Sequence, residues 1–175
     1  MKKTLLIANR GEIAVRLAAT ARDQGYAVVT VYPEDDATCA HVREGDASVL
    51  LPGIGAAAYL DAEAVIQAAV ETGATVLHPG YGFLSEQSHF AEACEAAGIA
   101  FVGPTPAQLA VFGNKAGAKE IAKACNVPLV PGTEGATDLD AALAFQAQHP
   151  NLNLMVKAVH RSEERRVGKE CRSRW

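Results

Sequence analysis

Three helix-like runs in the first hundred residues stop at a glycine, and each is followed at once by a short apolar run. Gly25 closes Glu12–Gln24 and precedes Ala27–Val31. Gly73 closes the run from Asp61 to Thr72 and precedes Thr75–Leu77. Gly98 closes Glu86–Ala97 and precedes Ile99–Val102. A glycine just past a helix end supplies the left-handed residue that ends the helix and turns the chain. Short apolar runs without polar alternation fit strands covered on both faces. Helices and strands alternating in this way predict a parallel sheet with helices on both sides, the doubly wound α/β class, with right-handed crossovers. Thr4–Ala8 is the predicted first strand. Ser48–Leu51 is the third, bounded by Pro52-Gly53. Ile13, Leu17 and Ala21 share a face of the first helix, and Asp61 is expected to cap the helix that follows it. Pro33–Ala47 leaves a short helix and a loop both open.

The pattern changes after Pro104. Pro106–Phe112 and Lys115–Cys125 read as helices, Val127–Pro131 as extended chain and Gly132–Thr137 as a turn-rich segment. Asp138–Gln148 reads as a helix and Leu152–Val159 as a strand. With 175 residues there is room for one domain and the opening of a second. Hydrophobic content of 49% and charged content of 21% exclude wholesale disorder. A net charge of −4 gives no electrostatic case for nucleic acid or an anionic membrane. No apolar run approaches the roughly 20 residues a membrane span needs. Cys39, Cys94 and Cys125 are scattered without metal-ligand spacing, so zinc is not expected. The absence of a secretory signal points to a reducing, cytoplasmic setting. Residues 161–175 stand apart: they hold 6 Lys/Arg against 3 Asp/Glu, whereas residues 1–160 hold 10 against 17. This segment is similar to the translated read-through of a sequencing adapter and is read as foreign to the frame, a genuine basic tail being the alternative.

Chemistry-bearing residue types gather at predicted strand ends. Ala8–Ile13 joins the first strand to the first helix, the edge where open α/β sheets bind ligands. Asn9 tolerates strained turn geometry, Gly11 allows close backbone approach, and Arg10 and Glu12 supply opposite charges. A plain turn with a surface ion pair is the competing reading. His78–Glu86 follows the fourth strand and lies at the same edge. Gly80 and Gly82 flank Tyr81 and let the backbone expose a hydroxylated ring. Ser85 is expected to N-cap the next helix with Glu86 in its first turn. The alternative is a structural loop with Tyr81 and Phe83 packed inward. Gly53–Ala58 matches a dinucleotide-binding spacing superficially, but it follows the third strand and no acidic residue ends the next one, so Pro52-Gly53 is read as a turn. A Walker loop is absent. Gly113-Asn-Lys115 opens a helix, where an anionic ligand would reverse the unfavourable effect of a first-turn lysine; a solvated lysine is the competing reading. Lys157 shares a strand face with Met155 and Val159, where it needs an anionic partner unless the strand is an edge facing water. Two such lysines on either side of a possible hinge suggest a nucleotide held between domains. His41, His89 and His149 have no usable spacing and are expected at the surface or at helix ends.

Ile7–Ala14, His78–Glu86, Phe101–Pro104 and Val130–Thr133 together closely resemble the N-terminal part of biotin carboxylase, over residues 3–159. This is the component that starts the biotin-dependent carboxylases of acyl-CoA, pyruvate and urea. The resemblance implies a Rossmann-like pre-ATP-grasp domain over 1–113 and a truncated start of an ATP-grasp domain over 114–160. It implies an ATP- and bicarbonate-dependent ligase that carboxylates biotin on a carrier protein, with Mg²⁺ as the metal. Lys115 and Lys157 fall on ATP-binding positions, and Tyr81 and Gly82 near the biotin and bicarbonate end of the cleft. Asn9, Arg10, Gly11 and Glu12 form the cleft-edge turn. Arg16 falls on a face used for homodimerisation. The implied partners are the biotin carboxyl carrier and the carboxyltransferase. Here the chain also departs from the family: no glycine run follows Val159, and the acidic Mg²⁺ ligands, the bicarbonate-activating base and the arginine that stabilises the biotin enolate are missing. No catalytic or metal-binding residue is therefore assigned, and the chain is expected to be inactive by itself. Two readings compete, another ATP-grasp ligase of the carbamoyl-phosphate synthetase kind and a non-catalytic Rossmann-like module.

Overall fold

The structure is a computed structural model that describes residues 3–133 and 137–151. The chain divides into two compact units, Met1–Leu109 and Ala110–Trp175.

The first unit is built on a five-stranded sheet in the order β3-β2-β1-β4-β5, with every neighbouring pair parallel. The strands are β1 (Thr4–Ile7), β2 (Ala27–Tyr32), β3 (Ala47–Leu50), β4 (Val76–His78) and β5 (Ala100–Phe101). The chain begins at the centre, steps outward through β2 and β3, then crosses back to β4 and β5. The direction of winding therefore reverses between β1 and β4. Connections from those two strands leave on opposite faces, which opens a crevice at their carboxyl ends. This bears out the doubly wound class.

The helices are α1 (Gly11–Asp23), α2 (Ala40–Arg43), α3 (Gly55–Ala58), α4 (Ala62–Glu71) and α5 (Ser88–Ala96). The terminating glycines act as expected. Gly25, Gly73 and Gly98 have φ of 83°, 65° and 72°. Past each one the next amide reaches back to a carbonyl five residues earlier: Tyr26 to Ala21, Ala74 to Ala69 and Ile99 to Cys94. That bond satisfies a helix-end carbonyl and aims the chain into the following strand. Asp61 caps α4 by accepting from the Ala64 amide at 3.0 Å.

Alternate strand residues fill two cores. Leu5, Ile7 and Val28 pack with Ala14, Ala18 and Ala21 of α1. Leu6, Val29, Val31 and Leu77 pack on the opposite face with Val65 and Ala69 of α4 and Phe90 and Cys94 of α5. The face that α1 packs on the sheet is made of alanines, whereas the opposite core is filled by larger side chains such as Phe90, Leu84 and Tyr59.

Two expectations are corrected. The expected strand Ser48–Leu51 runs instead from Ala47 to Leu50, and as an edge strand it leaves Ala47, Ser48 and Leu50 exposed. Ser85 does not cap α5, and Glu86 lies outside it: the helix starts at Ser88 behind Gln87, which makes no side-chain cap bond. Tight turns intervene, in which the Ser85 amide donates to Gly82 and the Gln87 amide to Leu84, and they drive Leu84 into the core. Pro52-Gly53 bends as expected, with Gly53 at φ of 90°, and α3 follows over Gly55–Ala58. The open segment after β2 holds a 3₁₀ turn, Glu34–Asp36, and α2.

The helix α6 (Pro106–Gly113) leads into the second unit, which contains α7 (Lys115–Ala124) and α8 (Leu139–Gln148). Asp138 caps α8 through the Ala141 amide at 2.8 Å. No described residue after Leu109 is buried. The predicted strand Leu152–Val159 and residues 161–175 lie outside the described residues. Among the described residues no helix is long and apolar enough to cross a membrane.

Candidate functional site

The turns after β1 and β4 meet through one buried side chain. Asn9 is fully buried, and its Nδ2 donates to the carbonyls of Pro79 at 2.7 Å and Tyr81 at 3.0 Å. Its Oδ1 accepts from the Arg10 amide at 2.9 Å. Asparagine suits this position because it donates twice and accepts in one plane. The carbonyls it caps belong to a loop that has left the sheet ladder, and the Pro79 bond is buried, where an unpaired carbonyl would be costly.

The second turn is shaped by its own residues. His78 ends β4, and its Nδ1 accepts from the Gly80 amide at 3.0 Å. That bond needs an unprotonated Nδ1. Burial and the nearby Arg16 charge lower the His78 pKa and favour the neutral ring. Gly80 has φ of 67°, and a Cβ there would lie 2.6 Å from Asn9 Nδ2 and 2.9 Å from Ile13 Cγ2. A side chain would push the two turns apart. Tyr81 is 53% exposed, and its hydroxyl donates to Glu12 Oε1 at 2.7 Å. Gly82 has φ of 72° with no atom within 4 Å of the point a Cβ would occupy, so its glycine serves the backbone alone. Arg10, Gly11, Glu12, Tyr81 and Gly82 thus lie together at the carboxyl edge, over the buried Asn9.

Beside that surface lies a polar cluster with no sequence signature. The Arg10 guanidinium sits 5.7 Å from the Tyr59 ring centroid and 5.9 Å from that of Phe83. It pairs with Asp36 Oδ2 at 3.4 Å. Tyr59 is fully buried and donates its hydroxyl to the same Oδ2 at 2.8 Å. Cys39 Sγ lies 3.5 Å from Oδ1. Burial alone would raise the Asp36 carboxyl pKa; hydrogen bonds from Tyr59, Cys39 and Arg10 outweigh it and hold the group below its usual range. Burial and the bond to Asp36 push the Tyr59 hydroxyl well above its ordinary value.

His41 Nε2 stands 3.3 Å from the Tyr59 hydroxyl. With that hydroxyl proton directed at Asp36, the contact is satisfied when Nε2 carries hydrogen, an assignment drawn from the network. His41 is fully buried in the short helix α2, which corrects the expectation of a surface position. The ring has a buried hydroxyl to bond and a place against Tyr59, with centroids 6.5 Å apart. Burial lowers its pKa and keeps it neutral. His89 is exposed, and His149 caps the end of α8. Asp36, His41 and Tyr59 escape sequence reasoning because they are 18 to 26 residues from their partners and none is unusual where it stands.

Arg16 is exposed on α1. Lys115 is the first residue of α7, in the second unit. Ahead of it Asn114 Oδ1 accepts from the Gly117 amide at 3.4 Å. Lys157 lies outside the described residues. Among the described residues no three His, Cys, Asp or Glu side chains group as metal ligands.

Comparisons with known proteins point one way. A family model described as the N-terminal domain of biotin carboxylase matches residues 1–109. A putative urea carboxylase of Emericella nidulans is 45% identical over 156 residues, 89% of this chain and 13% of that protein. A chloroplastic biotin carboxylase 2 of Populus trichocarpa is 44% identical, over 88% of this chain and 30% of its own length. Among solved structures, the biotin carboxylase domain of a single-chain bacterial carboxylase superposes with a TM-score of 0.84 at 48% identity, covering 92% of this chain and 37% of that one. The biotin carboxylase domain dimer of Hydrogenobacter thermophilus 2-oxoglutarate carboxylase, solved with MgADP, ADP and bicarbonate, gives a TM-score of 0.80 at 40% identity, over 85% and 33%. The chain therefore spans 13% to 37% of the lengths of these proteins.

Proposed function

This chain belongs to the biotin carboxylase family through that family's N-terminal domain, and we propose that it is the opening part of an ATP- and bicarbonate-dependent ligase that carboxylates carrier-bound biotin. The observation that carries the reading is the junction of the β1 and β4 turns through Asn9, which presents Tyr81, Gly82 and Glu12 together at the crevice where the winding reverses.

In this reading residues 1–113 form the Rossmann-like domain, 114–160 begin the ATP-grasp domain, and 161–175 are foreign. Tyr81 and Gly82 line the biotin and bicarbonate end of the cleft. Gly82 leaves backbone open to a planar ligand, and Tyr81 borders it with a hydroxyl already directed at Glu12. Asn9–Glu12 form the wall behind them. Lys115 and Lys157 neutralise phosphate charge, the main protein contribution to phosphoryl transfer. ATP supplies the phosphoryl group that activates bicarbonate. The Mg²⁺ ligands are assigned, as the family resemblance implies, to the parts of the enzyme outside this chain. Arg16 lies on a homodimer face. The partners are a biotin carboxyl carrier and a carboxyltransferase, in the cytoplasm.

The test is a chimera. Residues 1–150 of this chain replace the matching segment of the Hydrogenobacter thermophilus 2-oxoglutarate carboxylase small subunit, a relative 42% identical over 135 residues. The expected result is ATP hydrolysis that requires both bicarbonate and biotin, and loses at least tenfold with Lys115→Ala. The 175-residue chain alone is expected to show none. A folded chimera without turnover overturns the biotin carboxylase assignment, and turnover by the chain alone overturns its incompleteness.

A further inference from the structure

Phe83 adopts φ of 46°, a left-handed conformation that a bulky residue rarely enters. Such a conformation persists where the surroundings over-determine it, and such positions cluster at functional sites. Here three separate segments converge on it. The Tyr59 ring lies 5.3 Å from the Phe83 ring, and the Arg10 guanidinium lies over both rings. Gln87 Nε2 donates to the Phe83 carbonyl at 3.4 Å. Arg10 precedes α1, and Tyr59 follows α3. Both are tied to Asp36 Oδ2, from the turn after β2. A single carboxylate oxygen thus orders both members of the platform on which Phe83 rests. Phenylalanine at 59 would fill the same space without a hydroxyl to satisfy. The Asp36 side chain, only 14% exposed, is an expensive group to bury for packing alone. What the carboxylate adds is direction: it fixes the guanidinium plane and the Tyr59 ring together.

We propose that Asp36 and Tyr59 are positioning residues that, through Arg10 and Phe83, hold the loop presenting Tyr81 and Gly82 at the crevice. The proposal rests on the biotin carboxylase reading for what that loop faces. The mechanical part concerns this chain alone and is tested on it. In the ¹⁵N-labelled 175-residue chain, Tyr59→Phe keeps the ring and removes the hydroxyl, and Arg10→Lys keeps the charge and removes the planar stack. The readouts are exchange of the Ser85 and Gln87 amides, which bond to Gly82 and Leu84, against exchange of the α4 amides, together with the Gly82 amide resonance. Each substitution is expected to speed loop exchange at least tenfold more than α4 exchange and to shift or broaden the Gly82 signal. In a Phe83→Gly background, where the strain and the ring are both gone, Tyr59→Phe is expected to add nothing further to the loop. Loop and α4 amides accelerating in parallel would reveal a merely structural role and overturn the proposal, as would a Tyr59→Phe effect undiminished by Phe83→Gly. Because exchange reads no carboxylation chemistry, the clamp can fail while the chimera is active, and the reverse.

Discussion

Gly80 and Gly82 stand two residues apart in one turn, both at positive φ, for different reasons. At Gly80 the backbone is left-handed and the space is taken, with Asn9 Nδ2 and Ile13 Cγ2 inside 3 Å of any Cβ. At Gly82 the backbone is left-handed and the space is open. Gly82→Ala should therefore incur the conformational cost alone, about 1–2 kcal/mol. Gly80→Ala adds crowding against a buried amide, for a total of roughly 2–5 kcal/mol when overpacking is included. Urea unfolding of the two variants measures the difference. Equal losses would mean that the β1 and β4 turns are not in the close contact described. The same contrast separates site from scaffold, because an alanine at 80 displaces Asn9 and with it both turns, whereas an alanine at 82 leaves the Asn9 bonds in place.

At the scale of elements, what distinguishes the helices is burial. Ala14, Ala18 and Ala21 of α1, Val65, Ala68 and Ala69 of α4, and Phe90, Ala91 and Cys94 of α5 are buried, whereas α8 and the described side chains of α7 bury none. Helices of ten residues are marginal in water unless a packed face supports them. Amides in the middle of α7 and α8 should therefore exchange at least ~100-fold faster than those of α1 and α4, which open with the core. Mass-spectrometric exchange on the whole chain checks this; equal protection would mean that the second unit has a core of its own. Burial also marks what is legible in the sequence. The ends of α1, α4 and α5 can be read because a glycine carries its own signal, and so can the caps at Asp61 and Asp138. The start of α5 cannot, because the turns that carry Leu84 into the core depend on the tertiary structure. The helices α2 and α3, at four residues each, are too short to show a period. At the site, Asn9, Gly80 and Tyr81 are legible as special residue types at strand ends. Asp36, His41 and Tyr59 are not, since each acquires its meaning from a partner that only the fold brings near.

Among the described residues, both cores and all five strands lie in the first unit, and so do the buried groups that couple its stability to pH. His41 and His78 have folded-state pKa values held below the ordinary 6.5, in each case chiefly by burial. Below pH 6.5 the unfolded chain takes up these protons more readily than the folded one, so the stability they contribute is present above that pH and lost as pH falls through it. Each full proton of difference is worth about 1.4 kcal/mol per pH unit. Asp36, lowered from 3.8, loses its contribution only below that value and does not enter this window. The alkaline side works in the opposite sense. Burial pushes the Cys94 thiol from 9.0 to about 11, so its contribution is complete below pH 9 and lost as the pH rises toward 11. Urea midpoints should therefore form a plateau between roughly pH 7 and 9, falling on both sides. The two limbs have separate origins that mutation can isolate. Cys94→Ala should reduce the slope of the alkaline limb, to which the raised Tyr59 and Cys39 groups also contribute, while lowering the plateau by the loss of a buried side chain, and His41→Gln should reduce the acid slope. An acid slope unchanged in His41→Gln would mean that the ring is not held neutral against Tyr59. The cluster beside the cleft would then lose the histidine that completes it.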